Sequence, residues 1–199
     1  DPKPGETVID VCSAPGGKAT HIAQLMKNTG LVLARDIHPH KIKLIDEAAL
    51  RLSFDIIKTQ LFDATKLDTD LVEKADGVLV DAPCTGLGII RKKPDIKWAR
   101  NTNDLEEIKK LQGTILETAS KYVKPGGKLV YSTCTIQKEE NEDIVESFLN
   151  KNPDFEPVDI TDCLPGNLEK ETSKNGYIQL YPNIDKTDGF FISKMVKRS

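Results

Sequence analysis

Two cysteines of this chain each follow a short apolar run, at the point where a predicted strand gives way to a loop. Cys84 comes after "GVLVDAP" and Cys134 after "KLVYST". A cysteine is often just a small buried hydrophobic residue, and we expect that of Cys12 and Cys163. Ligands of α/β sheets, however, bind where parallel strands end. The positions of Cys84 and Cys134 therefore predict two thiols facing one crevice, where a thiolate could act as a nucleophile.

A glycine-rich turn near the start of the chain joins a predicted strand to a predicted helix, in "VIDVCSAPGGKATHIAQLM". Gly16 and Gly17 would let a ligand approach the backbone closely, and the start of the helix offers unpaired N–H groups. The spacing is neither the GxGxxG of dinucleotide-binding proteins nor the GxxxxGK[ST] of phosphate-binding loops. It favours a ligand without phosphates, such as S-adenosylmethionine (SAM), whose amino-carboxylate group could sit at the turn.

Three aspartates stand at the carboxyl ends of the second, third and fourth predicted strands. Asp36 lies about twenty residues beyond Gly16, where an acidic side chain accepts hydrogen bonds from ribose hydroxyls. Asp63 is placed to meet the edge of an adenine, and Asp81 ends the fourth strand. Each alone could be a helix cap or a turn residue. The three together favour a cofactor-binding crevice.

A thiol beside a methyl donor suits methylation of a pyrimidine at carbon-5. That carbon is a poor nucleophile until a thiolate adds to carbon-6 and makes the ring enamine-like. Removal of the carbon-5 proton then lets the thiol leave by elimination, and a second thiol can help to free the product. An acid near ring N3 would stabilise the adduct, and Asp81 stands three residues before Cys84.

Strands that alternate with longer helical segments must position these residues. The predicted strands are 7–11, 31–36, 55–59, 77–82 and 128–133, and the predicted helices are about 18–27, 39–52, 103–123 and 138–150. Two later runs, "NGYIQLYP" and "TDGFFISKM", are too close for a helical crossover and should pair antiparallel. We therefore predict an α/β, Rossmann-like fold typical of class I SAM-dependent methyltransferases, with a mostly parallel seven-stranded sheet and an antiparallel C-terminal hairpin.

The composition excludes several classes of protein. The 199 residues carry a formal net charge of −3, with 38% hydrophobic and 30% charged residues. These values are typical of a globular protein and not of a disordered or membrane protein. The four cysteines and three histidines show no zinc spacing, so we expect no metal and reduced thiols in a cytoplasmic protein. Nothing in the sequence requires more than a monomer.

Motifs over nearly the whole chain resemble those of the RNA cytosine-5 methyltransferases, most closely the bacterial Sun/RsmB group, which acts on 16S ribosomal RNA. The motifs are "DVCSAPGGK", "DAPCTGLGIIRKKPDIKW", "YSTCTI" followed by "EEN", and "DGFF". The resemblance implies one SAM-dependent catalytic domain over residues 1–199. It also implies, with the abrupt start "DPKPGETV", that an N-terminal RNA-binding part is missing.

The same resemblance implies a role for each matching residue. Cys134, in the Thr-Cys motif, would be the nucleophile, and Cys84, in the Pro-Cys motif, would assist product release. DNA cytosine-5 methyltransferases instead use the Pro-Cys thiol as nucleophile, so the presence of both motifs points to RNA. Lys18 could also reach the target base or cap the helix. The implied cofactor-binding residues are Cys12, Ser13, Ala14, Pro15, Gly16, Gly17, Lys18, Asp36, Asp63 and Asp81.

The stretch "RKKPDIKWAR" follows Cys84 closely and predicts an RNA-binding rim. It carries one acid, Asp95, and five cations: Arg91, Lys92, Lys93, Lys97 and Arg100. Cations there could hold phosphates, and Trp98 could stack on a base or pack in the core. The alternative is a solvated loop with a structural tryptophan.

Four alternative functions stay open at this point. A transfer-RNA cytosine-5 methyltransferase would share these motifs. A non-catalytic RNA-binding ribosome-assembly factor would keep the fold, but its sequence need not keep Cys134 or the glycine turn. Amino-group methyltransferases need no thiol and typically have Asn/Asp-Pro-Pro-aromatic where this chain has "DAPC". An NAD-dependent dehydrogenase shares only the fold class and has a different turn spacing.

Overall fold

The computed structural model describes residues 1–99, 102–168 and 170–199, which divide into two compact units. Unit 1 comprises residues 1–81 and 118–129 together with Ser199, and unit 2 comprises residues 82–117 and 130–198. Within the described ranges, no helix is long and apolar enough to cross a membrane.

Strands and helices alternate over most of the described chain. The strands are β1 (Thr7–Asp10), β2 (Leu31–Asp36), β3 (Ile57–Leu61), β4 (Ala75–Asp81), β5 (Val123–Thr133), β6 (Phe155–Pro157), β7 (Tyr177–Leu180) and β8 (Phe190–Lys197). The α-helices are α1 (Gly17–Leu25), α2 (Pro39–Arg51), α3 (Ile96–Ala99), α4 (Thr102–Ser120), α5 (Glu142–Lys151) and α6 (Pro182–Asp185).

The strands are hydrogen-bonded in the order β3-β2-β1-β4-β5-β8-β6, and β7 also pairs with β8. Strand β1 is parallel to β2 and β4, and β2 is parallel to β3, whereas β8 is antiparallel to β6 and β7. The predicted α/β fold with an antiparallel C-terminal hairpin is confirmed. The sheet has eight strands rather than the predicted seven, because the three residues of β6 also pair with β8.

The core of unit 1 lies between the two N-terminal helices and the parallel strands. Helix α1 buries Ala19 and Ala23, and α2 buries Ile45 and Ala49, each pair one helical turn apart on a single face. The strand residues in this core are Val8, Val32, Ala34 and Ile57. Because the small alanines of α1 allow close packing, the helix lies directly against the strands. The turn that begins α1 is thereby fixed to the ends of β1 and β2.

Unit 2 contains the antiparallel hairpin and the helices that follow "PCTGLG" and "TCTI". The hairpin pairs Tyr177 with Ser193 and Leu180 with Phe190, and the short helix α6 forms its connection. Helix α5 begins with Glu142 and Asp143 and ends with Lys151, charges that complement its dipole. The helix predicted from residue 138 begins four residues later, because residues 138–140 form a separate 3₁₀ turn.

Candidate functional site

The turn between β1 and α1 in unit 1 is shaped by its two glycines. Gly16 has a φ of 102°, and its N–H donates to the carbonyl of Ser13 at 2.8 Å. A Cβ added to Gly16 would lie 3.2 Å from the Cα of Ile45, whereas one added to Gly17 would meet no atom within 4 Å. Position 16 therefore favours glycine, because of its positive φ and the close approach of Ile45. Gly17 leaves open space at the start of α1, where helix N–H groups can bind an anionic ligand group.

Asp10, the last residue of β1, is a buried acid that the sequence analysis missed as a candidate. It is 0% exposed, and among the described residues no donor meets hydrogen-bonding geometry to either carboxylate oxygen. Burial raises the pKa of Asp10 to about 7; the nearby Ser13 hydroxyl opposes this rise and the Asp81 carboxylate adds to it. The signal available in the sequence was an acid within the apolar run "VIDVC".

The predicted cofactor aspartates lie at or just beyond the carboxyl ends of strands in unit 1. Asp36 ends β2 and accepts a hydrogen bond from the His38 N–H at 3.0 Å. Asp63 follows β3 and accepts from the N–H and hydroxyl of Thr65 at 3.0 and 2.7 Å, and these bonds lower its pKa. Both therefore act as turn residues, as the alternative interpretation held. The same positions still suit binding of a nucleoside.

Lys18 and Asp81, both in unit 1, form an ion pair. The Lys18 Nζ lies 2.6 Å from Oδ2 of Asp81, and both side chains keep partial exposure. Lys18 is the second residue of α1, and Asp81 ends β4. The structure thus joins the glycine-rich turn to the end of the fourth strand through one contact, a pairing that the sequence analysis did not foresee.

The two cysteines expected to be buried hydrophobic residues differ from each other. Cys12 is partly buried, and burial raises the pKa of its thiol above the usual range, so it stays neutral. Cys163 is exposed, and the prediction that it is buried is wrong. Its short 3₁₀ turn at Thr161–Cys163 contains no buried residue. None of the four cysteines is in a disulfide.

Cys84 and Cys134 lie side by side in unit 2. Their Sγ atoms are 3.3 Å apart and no disulfide joins them. The hydrogen bond to Cys134, together with burial, holds the pKa of the Cys84 thiol well above its usual range. The protonated form of Cys84 is therefore favoured, and either sulfur could be the donor of the hydrogen bond between them. The structure brings together the two thiols that the sequence singled out.

Two glycines let other loops of unit 2 approach the backbone of Cys134. The Gly88 N–H donates to the Cys134 carbonyl at 3.0 Å, and the Gly189 N–H donates to the Gly88 carbonyl at 2.8 Å. A Cβ on Gly88 would lie only 2.1 Å from the carbonyl oxygen of Gly189. The glycines of "CTGLG" and "DGFF" are therefore needed for backbone contact around the thiol.

The predicted RNA-binding rim begins with an ion-pair cluster in unit 2. Asp188 accepts from Nε of Arg91 at 2.7 Å and from Nζ of Lys92 at 2.5 Å. The two cations, Lys92 first, lower the pKa of Asp188. Part of the positive charge of this stretch is thus already balanced, which the sequence could not show because the residues are almost one hundred positions apart.

The rest of the rim faces solvent where the structure describes it. Lys93 is exposed, and Trp98 is 81% exposed. Trp98 is therefore no part of the core, and stacking on a base stays a prediction beside the alternative of a solvated loop. Arg100 and the side chain of Lys97 lie outside the described residues. Among the side chains that are described, no group of three or more His, Cys, Asp or Glu residues could hold a metal ion.

Comparison with known proteins shows that the fold is that of the Rossmann-like methyltransferases. The crystal structure of NSun6 from Pyrococcus horikoshii with SFG has a TM-score of 0.86 and 36% sequence identity, and the match covers 100% of this chain and 49% of that one. A methyltransferase homolog protein from Pyrococcus horikoshii has a TM-score of 0.82 and 35% identity, over 99% of this chain and 63% of that one.

The chain belongs to the family described as 16S rRNA methyltransferase RsmB/F, which matches residues 1–196. It is similar to the probable ribosomal RNA small subunit methyltransferase B of Bacillus subtilis (strain 168), with 46% identity over 100% of this chain and 44% of the relative. Ribosomal RNA small subunit methyltransferase F of Shewanella sp. (strain MR-4) is 35% identical over 96% of this chain and 40% of the relative. The chain thus spans less than half the length of these relatives. The resemblance found in the sequence motifs is confirmed.

Proposed function

We propose that this chain transfers a methyl group from SAM to carbon-5 of a cytosine in 16S ribosomal RNA, through a covalent adduct between Cys134 and carbon-6 of the base. The observation that carries the proposal is the 3.3 Å contact between the sulfur atoms of Cys84 and Cys134. Two reduced thiols in contact suit a reaction in which a thiolate is first a nucleophile and then a leaving group.

The cofactor-binding residues proposed in unit 1 are compatible with SAM. The open space over Gly17 suits the amino-carboxylate group, Asp36 suits the ribose hydroxyls and Asp63 suits the adenine edge. The relative NSun6 was crystallised with SFG, a SAM analogue, which supports the same cofactor here. When bound, SAM supplies the methyl group that carbon-5 of the cytosine accepts.

The first step that we assign to this chain is addition of the Cys134 thiolate to carbon-6. The new carbon–sulfur bond pushes an electron pair into the ring, so that carbon-5 becomes enamine-like and nucleophilic. The S–H of Cys84 stabilises the thiolate before it attacks, because a hydrogen bond to an anionic sulfur is stronger than one to a neutral sulfur. We assign to Asp81, three residues before Cys84 in the chain, the hydrogen bond near ring N3 that stabilises the adduct.

The second step is elimination. Once carbon-5 carries the methyl group, it loses its proton to a water molecule, and the electron pair of that bond re-forms the carbon-5–carbon-6 double bond. The carbon–sulfur bond breaks as this double bond forms, and its electron pair returns to Cys134 as a thiolate. The Cys84 S–H again donates to that sulfur and so assists its departure. Without Cys84 the adduct should therefore persist.

Methyl transfer by three variants tests this proposal. Labelled SAM and 16S ribosomal RNA are incubated with the wild type, Cys134→Ala, Cys84→Ala and the control Cys163→Ala, which removes an exposed thiol remote in sequence from both motifs. We expect no transfer by Cys134→Ala, a denaturation-resistant RNA–protein adduct with Cys84→Ala, and wild-type behaviour of the control. Full activity of Cys134→Ala would rule out the Cys134 adduct, and would mean that Cys84 is the nucleophile or that no thiol is used.

The same assay separates the alternative functions. Transfer to transfer RNA but not to 16S ribosomal RNA would support the transfer-RNA methyltransferase. RNA binding without transfer to either substrate, by a wild-type protein that binds SAM, would support the non-catalytic assembly factor. Base analysis of the methylated product distinguishes 5-methylcytosine from a methylated amino group.

A further inference from the structure

We propose that Glu140 and Asn141 are positioning residues that together set the distance between the thiols of Cys84 and Cys134. The consequence for catalysis rests on the proposed function, but the consequence for the thiol contact does not. Both residues are 0% exposed and belong to the "EEN" run that directly precedes α5. Each is hydrogen-bonded to the residues next to one of the two cysteines.

Glu140 holds the residue that follows Cys84. Its Oε2 accepts from the Thr85 N–H at 2.9 Å, and its Oε1 accepts from the Thr85 hydroxyl at 2.5 Å. Gln112 of α4 completes this side, because its Nε2 donates to Oε2 of Glu140 at 2.9 Å and to the carbonyl of Pro83 at 3.0 Å. Cys84 is therefore held through its neighbours on both sides.

Asn141 holds the chain on both sides of Cys134. Its Oδ1 accepts from the hydroxyl of Thr133 at 2.5 Å, and its Nδ2 donates to the carbonyl of Thr135 at 3.2 Å. The same Nδ2 donates to Oε1 of Gln179 at 2.6 Å, which fixes the orientation of the amide. Because Glu140 and Asn141 are consecutive, the two anchoring points are joined by a single peptide bond.

A direct hydrogen bond closes the arrangement between the two cysteine loops. The hydroxyls of Thr85 and Thr135 are 2.9 Å apart. Each hydroxyl has one proton, and that of Thr85 goes to Glu140, so Thr135 must be the donor of the bond to Thr85. The hydroxyl of Thr135 therefore donates to that of Thr85, which in turn donates to the Glu140 carboxylate. The residues directly after the two cysteines are thus tied to one acceptor.

The burial of Glu140 is hard to explain by stability alone. A buried carboxylate is costly unless several donors satisfy it, and a well-packed apolar side chain would often serve a core better. The carboxylate accepts hydrogen bonds from the N–H and hydroxyl of Thr85 and from the amide of Gln112. Thr85 follows Cys84 directly, and the Gln112 amide also binds the carbonyl of Pro83, the residue before Cys84. A network of this kind favours one geometry over its neighbours. The geometry that it specifies is the thiol contact.

Glu140→Gln tests the inference, with Glu139→Gln as a matched control. Both variants make the same change of charge at consecutive positions, but Glu139 is exposed whereas Glu140 is buried. The glutamine amide replaces one of the two carboxylate oxygens with a donor, so at least one of the hydrogen bonds that Thr85 and Gln112 donate to Glu140 must be lost or reversed, and the remaining acceptor is uncharged. The first measurement is the rate at which diamide, an oxidant that accepts two electrons and two protons, converts the two thiols into a Cys84–Cys134 disulfide, followed by peptide mapping.

We expect disulfide formation to slow by about tenfold or more in Glu140→Gln, the factor that corresponds to loss of a hydrogen bond to a charged group. The kcat of methyl transfer should fall by a similar factor while the KM for SAM changes by less than about twofold. Glu139→Gln should match the wild type in each measurement. A folded Glu140→Gln protein whose thiols oxidise at the wild-type rate would overturn the inference.

Variants of Thr85 keep the inference testable if Glu140→Gln does not fold. Thr85→Val removes the hydroxyl but keeps the shape of the side chain, and Thr85→Ser keeps the hydroxyl. Disulfide formation should slow in Thr85→Val and recover most of its rate in Thr85→Ser; equal rates in both would contradict the positioning role. The oxidation rate is measured without RNA or SAM, so it tests the positioning role separately from the proposed function. If the wild type transfers no methyl group but disulfide formation still slows in the variants, the proposed function is rejected and the positioning role is retained.

Discussion

The sulfur atoms of Cys84 and Cys134 are 3.3 Å apart, and no disulfide joins them. Two thiols in contact can act as nucleophile and hydrogen-bond donor, but they can also be oxidised together. The contact with Cys134 and burial raise the pKa of the Cys84 thiol, and the proposed mechanism assigns the attacking thiolate to Cys134. The same contact thus makes the pair suited to catalysis and sensitive to oxidants.

Mild oxidation should therefore inactivate the protein reversibly. Diamide takes up the two protons and two electrons of the thiols as the disulfide forms, and dithiothreitol should restore both thiols and methyl transfer. SAM affinity, measured by calorimetry, should stay unchanged, because the proposed cofactor residues lie in unit 1. Peptide mapping should find Cys84 linked to Cys134. Inactivation with both thiols still free would contradict this prediction, and Cys163→Ala controls for oxidation of an exposed thiol.

Gly17→Ala should separate SAM binding from folding. An added Cβ meets no protein atom within 4 Å and the position lies in a helix, so the folded protein should tolerate alanine. The methyl group would nevertheless enter the space proposed for the amino-carboxylate group, and SAM affinity should fall by about tenfold or more. Calorimetric titration with SAM measures the affinity, and thermal unfolding monitors the stability.

Gly16→Ala provides the contrasting variant. The residue has a φ of 102°, and its Cβ would lie 3.2 Å from Ile45. We expect a loss of stability of about 1–3 kcal/mol, because alanine in this backbone conformation is strained. Gly17→Ala with unchanged SAM affinity would exclude the turn as the cofactor site, whatever the stability of Gly16→Ala.

Asp10 should make the stability of the protein depend on pH. Its pKa of about 7 in the folded chain lies above the ordinary value of 3.8, so between these values the folded state holds a proton that the unfolded state has lost. Stability should therefore fall as pH rises through this window and level off above it. The shift of about three units corresponds to at most about 4 kcal/mol.

Asp10→Asn removes this dependence. The stability of the variant minus that of the wild type, measured by urea unfolding from about pH 4 to about pH 8, should increase through the window and then stay constant. Asp55→Asn, at an exposed aspartate in the same unit, is the control and should leave the pH profile of the wild type unchanged. Parallel profiles for Asp10→Asn and the wild type would show that Asp10 ionises normally.

The parallel part of the fold could be predicted because its strands are continuous apolar runs. The predicted bounds of β2 match the structure, and those of β1 differ by one residue. The sequence missed β6, since three residues are too few to show a period. The predicted start of β5 is five residues late, because "KPGG" signals a turn and Gly126 has a positive φ of 77°, although the strand already includes these residues. Local sequence patterns do not predict the strand bounds where pairing with another strand determines the backbone conformation.

The site could be predicted only where position along the chain carries the information. Both cysteines follow strands, and this position alone predicted that their thiols lie close together. Glu140 lies in the polar run "QKEENED", which looks solvated, and its partner Thr85 is 55 positions away. Asp10 looks like a strand residue until its burial is known. The roles of Glu140 and Asp10 could therefore not be predicted from the sequence, because they depend on long-range hydrogen bonds and on the burial of a charged group.

The cationic rim is the place where RNA binding can be tested apart from SAM binding. Lys93 is exposed, and Lys92 shares Asp188 with Arg91. Lys92→Glu together with Lys93→Glu should turn an attractive surface for phosphates into a repulsive one, and the acid introduced at position 92 would also face Asp188. We expect RNA affinity to fall by about tenfold or more at low salt, with a shallower salt dependence. The affinity for SAM should not change.

Filter binding of 16S ribosomal RNA across a series of salt concentrations measures this effect. The matched control is Lys43→Glu with Lys58→Glu, two exposed lysines in unit 1 whose reversal makes the same change of net charge. An equal loss of RNA affinity in both double variants would mean that net charge alone determines binding. Unchanged affinity in the rim variant would remove Lys92 and Lys93 from the RNA interface and contradict the predicted rim, because replacing a lysine that neutralises a phosphate weakens binding and reduces the salt slope.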